Sequence, residues 1–138
     1  MIVVDSSFAL QWVLPEPDSG PAEQLLGRAD LTAPDILIIE VANVLAKKVR
    51  IGDLTLAEAH AGLQIIKDAI PDLVNSVALA ASSIALSAEL SHPVYDCCFL
   101  ACAIDLDTKL ATRDQPFIDR IVRAGLAARL WSSPGVNA

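Results

Sequence analysis

The sequence predicts an α/β fold in which a parallel β-sheet is covered by helices on both faces. Short apolar runs, several of them β-branched, alternate with longer helical segments along the whole chain. This alternation is typical of βαβ units, whose parallel strands are buried on both sides. The chain has 138 residues, a length that suits one domain with a substantial hydrophobic core. We therefore predict a single domain over residues 1–138.

Five short segments have the composition of buried strands. The first, Ile2 to Val4, is β-branched and ends at Asp5, which two serines follow, as expected for a strand that leads into a helix cap. In chain order, the predicted strands are residues 2–4, 31–33, 73–77, 109–112 and 127–131. Open parallel sheets bind ligands beyond the carboxyl ends of their strands, so residues at these ends are the first candidates for a functional site.

Seven segments are predicted to be helical, and capping or breaking residues mark their ends. Pro15 and Pro17 stop the first helix, and Gly52 ends the longest one. Thr55, with Glu58 three residues later, is typical of a capping box at a helix start. In chain order, the predicted helices are residues 8–14, 18–28, 34–50, 55–70, 79–90, 95–106 and 114–124.

The composition excludes several classes of protein. Hydrophobic residues make up 54% of the chain, far more than in a disordered protein. The most apolar stretch, residues 77–88, contains three serines and is shorter than the roughly 20 apolar residues of a membrane span. A mean hydropathy of +0.49 indicates a second apolar surface, used for self-association or a partner.

The N-terminus and the cysteines favour a cytoplasmic protein. The N-terminus has no basic region and reaches Asp5 at once, unlike a signal peptide. Three cysteines, Cys97, Cys98 and Cys102, lie in one apolar segment and do not form a disulfide framework. Cys98 and Cys102 have a metal-compatible spacing, but we interpret them as small buried residues on a tightly packed helix face. A reducing compartment is the simplest interpretation.

Three aspartates occupy positions that are typical of both helix caps and functional sites. Asp5 ends the first predicted strand, and Asp114 follows the strand at residues 109–112. Asp96 begins the apolar helix that runs to Leu106. Aspartate is a favoured N-cap, so each of these residues has a purely structural interpretation. Capping does not exclude catalysis, because a residue at a strand-to-helix turn faces the ligand cleft.

Glu40 is the carboxylate that distinguishes the two interpretations. Leu37 and Val44 share its helix face, and no basic residue lies within one turn. A buried carboxylate without a partner costs several kcal/mol or takes up a proton, so it requires a cation. The alternative is that Glu40 lies on a narrow exposed strip with Asn43 and Lys47.

Four converging carboxylates are consistent with a divalent metal site. Oxygen ligands suit Mg²⁺ or Mn²⁺, and such ions promote hydrolysis of phosphodiesters. The net charge of −7 argues against a nucleic-acid ligand, but two bound divalent ions would change it to −3. Basic residues also occur in two groups that could form a phosphate-binding rim or solvated helix faces: Lys47, Lys48 and Arg50, and Arg113, Arg120, Arg123 and Arg129.

Four segments, taken in order, resemble one known family over essentially the whole chain. They are MIVVDSS at the start, APDILIIEVANVLAKKVRIGDL around Glu40, VYDCCFLACA around Asp96 and KLATRDQPF around Asp114. This arrangement resembles the PIN-domain ribonucleases, particularly the VapC-type toxins of type II toxin–antitoxin pairs. Each segment alone is a weak signal, and the four together in this strand–helix context are fairly specific.

The resemblance implies a fold, an activity and a set of partners. The fold would be a three-layer α/β/α PIN-like structure with a central parallel sheet of strand order 3-2-1-4-5. The activity would be that of an endoribonuclease dependent on Mg²⁺ or Mn²⁺. The expected partners are an RNA substrate, a VapB-type antitoxin and a second copy of the chain. The implied catalytic and metal-binding residues are Asp5, Glu40, Asp96 and Asp114, with Ser7 and Thr112 in supporting positions.

One alternative of a different class remains open. The chain could be a catalytically silent PIN-like module that binds proteins, with a structural acidic cluster and a functional apolar surface. Phospho-acceptor receivers and aspartate-nucleophile phosphatases fit poorly. The receivers need an acidic residue where Val3 and Val4 stand, and the phosphatases need an aspartate at Ser7. Metal binding would distinguish the enzyme from the silent module.

Overall fold

Four parallel strands form the central sheet of the computed structural model, which describes residues 1–14 and 20–132. The strands are β1 (Ile2–Val4), β2 (Leu31–Pro34), β3 (Leu73–Val74) and β4 (Lys109–Ala111), in the order β3-β2-β1-β4. Ile2 pairs with Leu31 on one side and with Lys109 on the other. Helices flank this sheet, so the predicted α/β fold with a central parallel sheet is confirmed.

The C-terminal segment predicted as a fifth strand is not a regular strand. Residues Ala127–Arg129 form a short 3-10 turn, and Leu130 makes one parallel bridge with Leu110. The backbone amides of Arg129 and Leu130 donate to carbonyls of the turn itself, which leaves Trp131 N to pair with Leu110 O at 2.8 Å. The fifth position of the predicted order is therefore occupied by a single bridge beside β4.

The predicted third strand is shorter than expected for a similar reason. Residues 73–77 were expected to be extended, but β3 ends at Val74. Asn75 then caps a 3-10 turn, Ser76–Leu79, through a hydrogen bond from Val77 N to its Oδ1 atom. The local side-chain cap competes with the strand ladder at this position.

Seven α-helices are assigned among the described residues, and most follow the predicted segments. They are α1 (Ser6–Ala9), α2 (Gly20–Glu23), α3 (Ile36–Arg50), α4 (Leu56–Ala69), α5 (Ala80–Leu90), α6 (Val94–Asp105) and α7 (Gln115–Arg123). The capping box of Thr55 and Glu58 is present at the start of α4.

The largest differences lie in the first two predicted helices. The helix expected at residues 8–14 is α1 followed by a 3-10 turn, Leu10–Trp12. The helix expected at residues 18–28 is reduced to α2, and Gly27, with a φ of +94°, lies in the turn that follows. Residues 15–19, including both prolines predicted to stop the first helix, are outside the described residues.

The core is built around the apolar helix α6. Residues 97–103 of this helix are all buried, and the helix packs on β1, β2, β4 and α5. The three cysteines are free thiols in this buried stretch, as predicted for packing residues. No single described helix has the length and apolar character needed to cross a membrane, and α5 with its preceding turn is bent from α6 by 111°.

Candidate metal centre

Asp5 is a buried carboxylate at the carboxyl end of β1. Its Oδ1 atom caps α1 by accepting a hydrogen bond from Phe8 N at 3.0 Å, and it accepts a second from Ser7 Oγ at 2.7 Å. The side chain is only 4% exposed. Burial raises the pKa of Asp5 to about 7, although the hydroxyls of Thr112 and Ser7 and the Phe8 amide partly offset this rise. Ionised Asp5 therefore requires compensating positive charge.

Asp114 lies beside this position because β1 and β4 are neighbours. Val4 pairs with Ala111, so Asp5 and Thr112 follow the paired strands at the same edge of the sheet. Asp114 caps α7 by accepting a hydrogen bond from Phe117 N at 3.2 Å. Its own amide donates to Thr112 Oγ1 at 3.2 Å. Thr112 Oγ1 lies 3.4 Å from Ser7 Oγ, so the two hydroxyls connect the surroundings of both aspartates.

Asp96 does not cap its helix, contrary to the interpretation from sequence. Pro93 occupies the cap position of α6, and Asp96 lies in the first turn. The side chain is held instead by His92, whose Nε2 atom is 2.7 Å from Asp96 Oδ2. The His92 ring stacks on Phe117, with 4.6 Å between ring centroids and 14° between planes. The imidazole thus fixes Asp96 from the side of α7.

His92, Asp96 and Asp114 form the tightest group of possible metal ligands among the described residues. Each offers one ligand atom, and these atoms lie within 4.8 Å of one another. Burial raises the pKa of Asp96, the His92 hydrogen bond lowers it, and the neighbouring Asp114 raises it again. Such mutual destabilisation of negative charge is relieved when a cation binds.

Glu40 approaches the same group from α3. It is half-buried, and its Oε1 atom accepts a hydrogen bond from Ser6 Oγ at 2.6 Å. Burial raises the pKa of Glu40, the Ser6 hydrogen bond lowers it, and the charge of Asp96 raises it. Glu40 therefore faces α1 and the acidic group, whereas Asn43 and Lys47 are exposed. This contradicts the alternative of a shared polar strip.

Asp96 interacts with each of the other three predicted carboxylates. Its charge raises the pKa of Asp5 and of Glu40, and it lies within the ligand group that contains Asp114. Asp5 and Glu40 lie outside that tightest group. The four carboxylates thus meet at one edge of the sheet, and their roles as ligands and catalytic residues stay predictions.

Two residues of this site were not selected from the sequence. His92 is not among the predicted site residues, although it precedes Asp96 by four residues, the spacing of one helical turn. Ser6 was interpreted only as part of a cap. Its contact with Glu40 joins residues 34 positions apart, and no local pattern encodes such a contact.

The donor set fits a divalent cation. Asp5, Glu40 and Asp96 are partly or fully buried carboxylates whose pKa values are raised, first of all by burial. Carboxylate oxygens are the preferred ligands of Mg²⁺ and Mn²⁺, and an imidazole nitrogen is also compatible with transition metals. Asp96 and Asp114 would hold such an ion, with Asp5 and Glu40 as further ligands directly or through water.

The two basic groups predicted as a rim are only partly near this site. Lys48 and Arg113 line a cleft that adjoins Ser7. Arg129 is instead paired with Asp107 at 2.9 Å, and Arg120 donates to the backbone carbonyl of Ser91. Arg129 and Arg120 therefore stabilise loops, whereas Lys48 and Arg113 lie in the cleft that reaches Ser7, the hydrogen-bond partner of Asp5.

Comparison with known proteins assigns the fold to a family. The PIN domain family matches residues 2–122, a range that contains every carboxylate described above. No curated protein sequence matches the chain. The crystal structure of PAE2754 from Pyrobaculum aerophilum is similar in fold, with a TM-score of 0.70 and 19% identity over 90% of this chain and 88% of that one. Because the family match spans most of the sequence, the chain belongs to the PIN domain family.

Proposed function

We propose that this protein is a metal-dependent endoribonuclease that acts as the toxin of a type II toxin–antitoxin pair. PIN domains are generally metal-dependent nucleases, so family membership supports nuclease activity. The observation that carries the proposal is the convergence of Asp96, Asp114 and His92 within one ligand group, with Asp5 and Glu40 electrostatically coupled to it. Mg²⁺ or Mn²⁺ is the proposed cofactor.

The proposed chemistry is hydrolysis of an RNA phosphodiester at the carboxyl edge of the sheet. A divalent cation supplies the charge that activates water and stabilises the leaving oxygen. The residues of the chain position that charge: Ser7 donates to Asp5, Ser6 donates to Glu40, and His92 holds Asp96. These neighbours fix the orientation of each carboxylate, as partners behind metal ligands commonly do.

The direct test is cleavage of RNA by the purified protein with Mg²⁺, Mn²⁺ or a chelator. Asp5→Asn should abolish metal-dependent cutting and leave the fold intact, because asparagine retains the oxygen that accepts from Phe8 N. Asp68→Asn is the matched control, since Asp68 is exposed near the end of α4 and outside the site. Single-stranded DNA of the same sequence tests the preference for RNA.

The outcome of this test separates the enzyme from a silent binding module. Cutting that needs both metal and Asp5 supports the nuclease. A folded protein that neither cuts RNA nor binds Mn²⁺ contradicts it and favours the silent PIN-like module. Equal cleavage by Asp5→Asn and the wild type would contradict the proposed role of Asp5.

The toxin role and the antitoxin are implied by the resemblance, the cytoplasmic location is predicted from the N-terminus and the cysteines, and all three belong to this proposal. A VapB-type antitoxin would hold the nuclease inactive until RNA cleavage is required. Induced expression in a bacterial host should arrest growth for the wild type and not for Asp5→Asn. Normal growth at matched soluble expression levels would count against a toxin.

A further inference from the structure

A polar cleft lies between the N-terminal helical segment and α3, and it reaches Ser7, the hydrogen-bond partner of Asp5. It has a volume of about 470 Å³, within the range of small-ligand pockets, and is lined by Ser7, Leu10, Gln11, Leu14, Val44 and Lys48. Arg113 also lines the cleft, and its backbone N donates to Ser7 Oγ at 2.9 Å. Because Ser7 also donates to Asp5, the cleft and the carboxylates share a side chain.

Gln11 is a buried polar side chain in this cleft whose acceptor is unsatisfied. The residue is only 8% exposed, and its Oε1 atom is buried with no hydrogen-bond partner among the described residues. An unsatisfied buried amide oxygen costs free energy, so it requires either a structural reason or a ligand. The neighbouring Leu10, Leu14 and Val44 side chains offer no hydrogen-bond donor. A rotation of the Gln11 amide toward the cleft would allow a ligand with an N–H or O–H group to pair with this oxygen.

The charge and shape of the cleft indicate what kind of ligand it accepts. Lys48 supplies a cation, and its Nζ atom is held only loosely by Asp53 at 3.6 Å between partly exposed side chains. The three aliphatic side chains provide an apolar wall, on which a flat ring can lie. These three groups match the parts of one nucleotide. A cation can bind the phosphate, an apolar wall can contact the face of the base, and an amide can hydrogen-bond the edge of the base.

We propose that this cleft is the subsite for a nucleotide adjacent to the scissile phosphate. The base lies against Leu10, Leu14 and Val44, the Gln11 amide hydrogen-bonds the base edge, and Lys48 contacts the flanking phosphate. The subsite rests on the proposed ribonuclease function, and it adds base selectivity next to the cut. None of its three contact groups belongs to the predicted carboxylate set.

Cleavage of an RNA pool with one randomised position next to the cut tests the subsite. Gln11→Met keeps the length of the side chain without its polar atoms and should reduce the wild-type base preference by roughly 5- to 100-fold. Gln64→Leu, on the exposed face of α4, is the matched control and should retain the preference. Gln11→Met removes an unsatisfied buried oxygen, so the urea midpoint of this variant should not fall below that of the wild type.

Lys48→Gln tests the phosphate contact independently. RNA binding to the Asp5→Asn background should weaken equally for all bases, and the slope of log affinity against log salt should decrease by about 1. Lys67→Gln removes the same charge from the last turn of α4 and should leave both quantities unchanged. An unchanged base preference in folded Gln11→Met, or an unchanged salt slope in Lys48→Gln, would overturn the proposal.

A titration without cleavage separates failure of the subsite from failure of the ribonuclease. The four ribonucleoside 5′-monophosphates are added to metal-free ¹⁵N-labelled wild-type protein, and the Gln11 side-chain amide signal is followed. A shift of this signal, lost in Gln11→Met, supports the subsite even when no RNA is cut. Cleavage of RNA without base preference and without any shift supports the ribonuclease and refutes the subsite. Neither cleavage nor shift refutes both.

Discussion

At the scale of one residue, burial of the Asp5 carboxylate lowers the stability of the metal-free protein when this group is ionised. Its pKa rises from 3.8 to about 7 on folding, mainly because of burial. Between these values the folded chain binds more protons than the unfolded chain, so the free energy of unfolding decreases as the pH rises. Glu40 and Asp96, whose pKa values are also raised, contribute with the same sign.

We expect the metal-free protein to lose a few kcal/mol of stability between about pH 4 and about pH 7, the interval between the unfolded and folded pKa values of Asp5. Asp5→Asn should remove much of this dependence, because asparagine does not titrate and still accepts from Phe8 N. Urea denaturation in a chelating buffer measures the effect. A wild-type stability that is constant or increases over this range would contradict the prediction.

His92 is the second residue whose environment leads to a test. Its imidazole is fixed by Phe117 and by Asp96, and its carbonyl accepts from Ser87 Oγ at 2.6 Å. His92→Ala should weaken Mn²⁺ binding by roughly 10- to 100-fold, because Asp96 loses the group that orients it. Calorimetric titration measures the affinity, and His60→Ala on the exposed part of α4 is the control. Unchanged affinity in His92→Ala would exclude this role.

At the scale of one element, the start of α4 is determined by local chemistry. Thr55 Oγ1 accepts from Glu58 N at 3.1 Å, and Glu58 Oε1 accepts from Thr55 N at 3.0 Å. Thr55→Ala should lower the free energy of unfolding by about 1 kcal/mol and leave RNA cleavage unchanged. Thr55→Ser keeps the cap and is the control. A loss of activity in Thr55→Ala would show that α4 affects the site.

Helix α6 shows how one element serves both the core and the site. Its buried stretch, residues 97–103, packs against three strands and positions the first turn at the carboxyl edge of the sheet. Asp96 lies one residue before that buried stretch, so it is half-buried and points toward the other carboxylates. The apolar sequence of α6 predicted its burial, and the stacking of His92 on Phe117 of α7 placed the imidazole beside Asp96.

At the scale of the whole molecule, exposed apolar side chains provide a surface for the proposed homodimer. Val77 is 81% exposed in the turn before α5, and Ile84 is 64% exposed on α5. Their burial between two copies would relieve this exposure, in agreement with the high mean hydropathy.

Val77→Ser combined with Ile84→Ser should weaken self-association by roughly a hundredfold or more, since each buried aliphatic side chain contributes about 1.5–3 kcal/mol. Light scattering coupled to gel filtration measures the mass. Leu56→Ser, at a similarly exposed position at the start of α4, is the control. A double variant that remains dimeric, or a monomeric wild type at micromolar concentration, would contradict an interface at this surface.

The sequence by itself determined the fold class, the alternation of elements and the edge of the sheet where the carboxylates lie. The spacing of apolar residues predicts which side chains are buried. Cap residues such as Thr55 indicate where a helix begins, because they satisfy the free backbone N–H groups of its first turn. Both signals are local, so each can be interpreted from a short segment without the rest of the chain. The resemblance to PIN-domain ribonucleases, confirmed at the level of the family, adds the same four carboxylates.

The tertiary structure alone decided which side chains act together. The Ser6–Glu40 contact, the pairing of Ser7 with Thr112 and the stacking of His92 on Phe117 join distant parts of the chain. It also decided that residues 127–131 make a single bridge and not a strand, because their amides pair within the turn. Such contacts depend on strand register and helix packing, which no local pattern specifies, and so the site was complete only when the chain was folded.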